Sequence, residues 1–281
     1  MDKLHNFFTG DSNKPLIAIP LILMIISLTY VAACGLEESI DLKGGTIITL
    51  ETKAPMSQTE ITNLCKETTG INDVQTSISG TQATITIDGE VDADTFTQKT
   101  SDKFNILSFK SVGALLTGTA MTQIIYSLIF AFVFMSITVF FVFRDLVPSL
   151  AVILSAVCNL SVAVGGMSLV GVPLSLASVG ALLMLIGYGV DTDILLTTRL
   201  LRQNKGSLSE RIVGAFDTGV TLSIAAILSM VVLYLVVIII IPSAQVLEDI
   251  SIVMILGLCS DLLATWLMNL GILKWHIKRE N

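Results

Sequence analysis

The chain has 281 residues, a formal net charge of −7 and a mean hydropathy of +0.81. Hydrophobic residues make up 53% and charged residues 14%, where soluble domains carry about 25% charged. This excludes an ordinary soluble enzyme and a disordered chain; the acidic balance, with no basic stripe, excludes a nucleic-acid binder.

What remains is an integral membrane protein, and a helix needs about 20 apolar residues to cross the hydrocarbon layer. Taken in chain order, six stretches qualify: 15–34, 119–143, 146–170, 174–198, 218–241 and 250–273. One polar segment, 35–118, separates the first from the second. The expected fold is an α-helical polytopic membrane protein of six transmembrane helices. A small α+β ferredoxin-like external domain sits between helices 1 and 2. The division is 1–34, 35–118 and 119–281.

The first span ends in Val31-Ala32-Ala33-Cys34, which resembles a lipoprotein cleavage site. Its apolar run is longer than the usual h-region of about 7–15 residues, so it reads as a retained helix. Asp41-Leu42-Lys43-Gly44-Gly45 then leads into the polar segment, and its glycines suit a turn with positive φ. Residues 46–52 alternate as a strand. Ser57 and Glu60 form a capping box, opening a helix to about Thr69 that Gly70 stops. Residues 74–79 and 83–87 are short strands split by Gly80-Thr81. Asp92 or Asp94 opens a second helix through Phe104, and 106–112 is the last strand. The order β-α-β-β-α-β is the split ferredoxin-like motif. Its 12 acidic and six basic residues read as a solvated face.

Lysine and arginine placement sets the orientation. With both termini in the cytoplasm, the inner pieces hold Lys3, Lys14, Arg144, Arg199, Arg202, Lys205, Arg211, Lys274, Lys278 and Arg279, ten of the sixteen positive residues. The remaining six lie in the polar segment, which is too long for the rule to govern. Ser207 and Glu210 form a second capping box, expected to open an interfacial helix before the fifth span. Cys158 and Cys259 read as small core residues of spans; Cys34 and Cys65 fall outside, and nothing demands a disulfide. No phosphate-binding loop, cofactor motif or metal cluster appears, and two histidines leave little room for a catalytic triad. The chain reads as a non-enzyme that takes its energy from an ion gradient or another subunit.

Charged residues inside spans are rare and mark ion pathways, or else pair within the bundle. Asp191 and Asp193 lie in the fourth span, about 7–10 Å cytoplasmic of its middle. Two positions apart, they are about 200° apart around the helix and cannot face one partner. Asp191 shares a stripe with Tyr188, Leu195, Thr198 and Arg202, and Asp193 with Gly189, Thr197 and Leu200. The alternative to an ion path is a pair of near-interfacial groups stabilised by Arg199 or Arg202. Asp261 lies near the centre of the sixth span, with no charge within ten residues on either side. It suits a proton relay or a helix–helix hydrogen bond. Asp217, at the start of the fifth span, is cheap to keep near the surface and reads as structural. Asn159 and Asn269 read as hydrogen-bonding groups across helices, and Gly187, Gly189 and Gly165-Gly166 as close-packing positions.

These residues carry a family resemblance over essentially the whole chain. One helix, a small external domain and five helices is the layout of the SecF family, one half of the SecDF protein-export complex. Asp41-Leu42-Lys43-Gly44-Gly45-Thr46 is similar to the family's D-x-x-G-G-T motif. Gly187-Tyr188-Gly189-Val190-Asp191-Thr192-Asp193, followed by Arg199, resembles its fourth-helix motif, most nearly in the archaeal branch. The bacterial branch usually has Asn-Asp where this chain has Asp191-Thr192, and its fifth-helix arginine falls near Val213, with Arg211 close by. The resemblance implies a fold of the resistance-nodulation-division type, pairing with SecD into a twelve-helix bundle in the cytoplasmic membrane. It implies that proton flow moves the external domains, which assist a secreted preprotein leaving the SecY channel. It makes Asp191, Asp193 and Asp261 the relay candidates, with Tyr188, Arg199, Arg202 and Asp217 in support. Asp41, Gly44 and Gly45 are the lead-in to the external domain. The rivals are half of a small-molecule exporter of the same superfamily and a non-conducting scaffold of the translocon.

Overall fold

A computed structural model of the chain describes residues 14–54, 56–202, 206–241 and 244–280. Lys3 and Lys205, two of the expected inner cations, lie outside the described residues. Helix α1 spans Lys14–Cys34. A one-turn helix α2, Ile40–Lys43, follows, then β1 (Gly45–Thr52), α3 (Gln58–Thr69), β2 (Val74–Ser79), β3 (Gln82–Ile87), α4 (Ala93–Thr100) and β4 (Phe104–Val112). Five long elements complete the chain: α5 (Ala114–Phe143), α6 (Leu146–Val170), α7 (Leu176–Arg202), α8 (Leu208–Ile240) and α9 (Gln245–Leu263). A π-helical segment, Ala264–Asn269, continues α9 into α10 (Leu270–Glu280). Six helical stretches are long and apolar enough to cross a membrane.

The four strands form an antiparallel sheet in the order β2-β3-β1-β4, the ferredoxin-like arrangement expected from the sequence. Its core is apolar: Ile48, Leu50, Ile61, Ile85, Ile87, Phe96 and Phe104 are buried together beneath α3 and α4. Cys65 joins this core, and burial pushes its thiol up to about 12, so it is an inert space-filler. Both helices are capped. Ser57 donates its backbone N–H to Glu60 Oε2 at 2.8 Å, and the Glu60 N–H donates to Ser57 Oγ at 3.3 Å. Asp92 accepts from the Thr95 N–H at 3.2 Å. Of the two aspartates offered by the sequence, Asp92 is the cap. The second helix stops at Thr100, four residues short of Phe104. Phe104 instead starts β4 and fills the core, a tertiary demand that local helix pattern does not carry.

Three further expectations change. The Ser207–Glu210 capping box opens no separate interfacial helix; it starts α8, which runs unbroken for 33 residues. Cys259 lies on the outward face of α9 and is exposed, while Cys158 is buried. Gly187 faces open space, whereas an added Cβ at Gly165 would come within 2.6 Å of Ser27 and one at Gly189 within 2.8 Å of Asp261.

The ferredoxin-like domain rests on the bundle at two places. Gly44 and Gly45 adopt φ of 81° and 135°, turning the chain from α2 into β1, and a Cβ at Gly45 would strike the Ile87 carbonyl oxygen at 2.6 Å. Asp41, on α2, forms an ion pair with Lys110 of β4 at 2.7 Å. Leu42 packs with Ile124 of α5 and Val179 of α7. Just before α2, the chain pairs with the α6–α7 turn. Ser39 N–H donates to the Leu174 carbonyl at 2.9 Å and Leu174 N–H to that of Glu37 at 2.7 Å.

A candidate ion relay between three helices

Helices α6, α7 and α9 form the interior of the bundle. Each brings polar residues four apart to that interior: Ser155 and Asn159 on α6, Asp193 and Thr197 on α7, and Asp261, Thr265 and Asn269 on α9 and the π segment. Spacing of four keeps such residues on one helix face. All seven are buried; Asp193 is 0% and Asp261 2% exposed.

Asp193 Oδ1 accepts from Asn269 Nδ2 at 2.7 Å and from Ser155 Oγ at 3.3 Å. Asp261 Oδ1 accepts from Asn159 Nδ2 at 3.2 Å and from Thr265 Oγ1 at 3.5 Å. The two carboxyl groups are close enough to interact electrostatically, and the Thr265 hydroxyl lies against both. Gly189, one turn before Asp193, lets Asp261 and Asn159 approach the α7 backbone. Ser260 Oγ fastens α9 to the Asn159 carbonyl at 3.1 Å. The two asparagines therefore bond across helices, as expected. No Lys, Arg or His among the described residues pairs with either carboxylate. Chemically, the two carboxyl groups are the members of the cluster that can take up and release a proton.

Asp191 does not join it. It faces outward on α7, in the stripe that carries Tyr188 and Arg202, while Gly189, Thr197 and Leu200 are buried beside Asp193. The helical spacing had placed the two aspartates on opposite faces. Arg199 Nη1 donates to the Gly214 carbonyl at 2.5 Å, and Arg202 Nη2 to the Val142 carbonyl. The arginines thus bind α7 to α8 and α5 rather than to an aspartate. Asp217 is exposed on α8 and lies apart from the cluster. Reasoning from sequence did not find the pairing of Asp193 with Asp261, nor the parts of Ser155 and Thr265. The signal was present as polar residues recurring every fourth position in three spans. The π segment was not visible either; such turns are frequent at functional sites.

A bundle of six helices long and apolar enough to cross a membrane, carrying a ferredoxin-like domain between its first two helices, defines a polytopic membrane protein. The comparisons make this specific. Residues 92–279 match the family model described as protein export membrane protein SecD/SecF, C-terminal. The chain is 52% identical over 268 residues to the protein-export membrane protein SecF of Methanothermobacter thermautotrophicus, covering 95% of this chain and 93% of that one. It is 41% identical over 273 residues to the SecF of Methanocaldococcus jannaschii, covering 94% and 95%. Its fold matches the crystal structure of SecDF, a translocon-associated membrane protein from Thermus thermophilus, with a TM-score of 0.80 at 17% identity. That match covers 97% of this chain and 38% of the solved one, so the chain spans well under half of the structure it resembles. The chain belongs to the SecD/SecF family of protein-export membrane proteins.

Proposed function

We propose that this chain acts as a SecF-type subunit of the protein-export machinery, working with a SecD-type partner beside the SecY channel. In this reading the protein lies in the cytoplasmic membrane with both termini inside, and the segment 35–118 projects outward. An ion gradient discharges through the bundle and moves the external domain, which assists a preprotein during the late steps of its passage. The chain makes and breaks no covalent bond.

One observation carries the reading: Asp193 and Asp261 are buried together, without a basic partner among the described residues, in helices that also hold the 35–118 domain. A buried charge that nothing offsets costs several kcal/mol, and membrane proteins retain such groups where ions pass. The outward stripe of α7 supports the partner. Tyr188, Asp191 and Gly187 are exposed there. A carboxylate presented to lipid at depth costs about 2.5–3.5 kcal/mol, and a covering protein removes that cost.

Replacing Asp193 and Asp261 by Asn tests the proposal in cells of the native host. Export is expected to fall while the variants still assemble with the SecD-type partner, read by affinity capture from membranes. Normal export in both variants overturns ion coupling and leaves a structural scaffold.

A further inference from the structure

The last helix ends on a face that the proposed function leaves unused. Trp275, Lys278 and Arg279 stand three and four residues apart on α10 and are exposed, while Leu270, Leu273, Lys274 and His276 turn inward. Trp275 is 48% exposed. The Arg279 guanidinium lies 5.6 Å from the centre of its ring, a cation–π distance. Among the described residues Arg279 has no carboxylate partner. A guanidinium laid on a ring keeps its N–H edge open, and that edge matches two phosphate oxygens at once. An indole followed by a cation one turn beyond an apolar span is also what a membrane–water boundary selects.

Two more cations are brought to this end of the bundle. Leu16 of α1 is buried with Leu270 and Leu273, and Ile277 packs on them. Helix α1 therefore begins against α10, and Lys14, its first residue, is exposed. His276 Nε2 lies 3.2 Å from Asp145 Oδ2, which seats the α5–α6 turn, with Arg144, on α10. Asp145 does not cancel this charge freely. Its other oxygen accepts from the Val147 N–H at 3.2 Å and caps α6, so both oxygens are engaged within the protein. Residues 274–281 themselves hold three Lys or Arg and one Glu, which leaves the end of the chain positive.

We infer that Trp275 and Arg279, with Lys14, Arg144 and Lys278 around them, form a binding site for the phosphate headgroup of an anionic membrane lipid. The ring sits at headgroup level, the guanidinium takes the phosphate oxygens, and the other cations add charge. The inference takes from the export reading only that α10 ends at the inner surface. Its consequence is positional. Asn269 lies six residues before Trp275, about 9 Å along a helix, so a lipid held here fixes the height of the last helix in the bundle.

The test places the full chain, with the subunits that accompany it, in phosphatidylcholine bilayers. These contain brominated phosphatidylglycerol or, in parallel, brominated phosphatidylcholine. Bromine quenches a tryptophan that it touches, and the difference between wild type and Trp275→Phe isolates the signal of Trp275. At equal bromine content, the anionic lipid is expected to quench Trp275 several-fold more effectively. Arg279→Gln should cut that preference about fivefold, the contribution of one basic residue near an anionic surface. Arg279→Lys keeps the charge without the planar fork and should fall between. Equal quenching by the two lipids, or a preference unchanged in Arg279→Gln, overturns the site. Full preference in Arg279→Lys shows diffuse surface charge and overturns it as well. Relief of the quenching by millimolar inorganic phosphate shows a free-anion site and overturns the lipid assignment. None of these results involves Asp193 or Asp261, so the export reading stands or falls separately, on the export assay above.

Discussion

The ferredoxin-like domain and the helical bundle are built on opposite plans. The domain buries Ile48, Leu50, Ile85 and Phe96 and keeps its charges in water. The bundle turns apolar side chains outward, Phe134, Phe141 and Ile239 among them, and gathers Asp193, Asp261, Asn159 and Asn269 at the centre. In water, apolar burial drives folding. In lipid the surroundings are as apolar as leucine, so helices associate through close packing and hydrogen bonds. The same chain thus uses each solvent to decide what goes inside, and polar groups at the bundle centre fasten its helices to one another.

Substitutions can break or sharpen that contrast. The largest effect is expected from Phe96→Ala, which empties the middle of the domain core. Losses of this kind run about 3–5 kcal/mol. Limited proteolysis of the full chain should then cut within 35–118 while the membrane helices survive; protection equal to wild type would contradict an apolar-driven domain. Gly189→Ala comes next. Its Cβ would press on Asp261 and Asn159, and overpacking costs typically 1–3 kcal/mol. The expected result is a lower melting temperature of the bundle in detergent, with the protease pattern of the domain unchanged. Ser57→Ala removes the capping box of α3 and should cost about 1 kcal/mol, read as faster proteolysis of the domain alone.

Acid probes the same caps. Hydrogen bonds from Ser57 hold the Glu60 carboxyl below its ordinary 4.5, and those from Thr95 hold Asp92 below its ordinary 3.8. A lowered folded-state value stabilises the fold fully above the ordinary value, and that support is lost as pH falls through the lowered one. The domain should therefore loosen as pH drops below about 4, and Ser57→Ala should flatten the part of this dependence due to Glu60. Smallest of all is Lys110→Met. The ion pair with Asp41 has one partner half exposed, and such pairs contribute about 0–1 kcal/mol. A domain that detached from the bundle on this change would show the pair to be a true anchor.

Much of this architecture was legible beforehand because its signals are local. Six apolar runs need only length, and β-α-β-β-α-β needs only alternation, caps and Gly70. The end of α4 was misplaced because Phe104 serves the core, which no local pattern reports. The polar cluster was half legible. Asp191, Asp193 and Asp261 all stood out as charges within spans, and the 200° between Asp191 and Asp193 separated their faces. Which aspartate met Asp261 depends on the depth and rotation of α7 against α9, and Gly189 sets that approach. A π turn adds a residue without changing composition, so it leaves no mark in a hydropathy profile.

The pairing of Glu37–Ser39 with Leu174 bears on how the molecule can move. A body on one flexible tether has three rotational freedoms. This domain is tied through α2, through the ladder at Leu174 and through Gly113 into α5. Three attachments remove those freedoms, so the orientation of the domain is set by the start of α5 and the turn between α6 and α7.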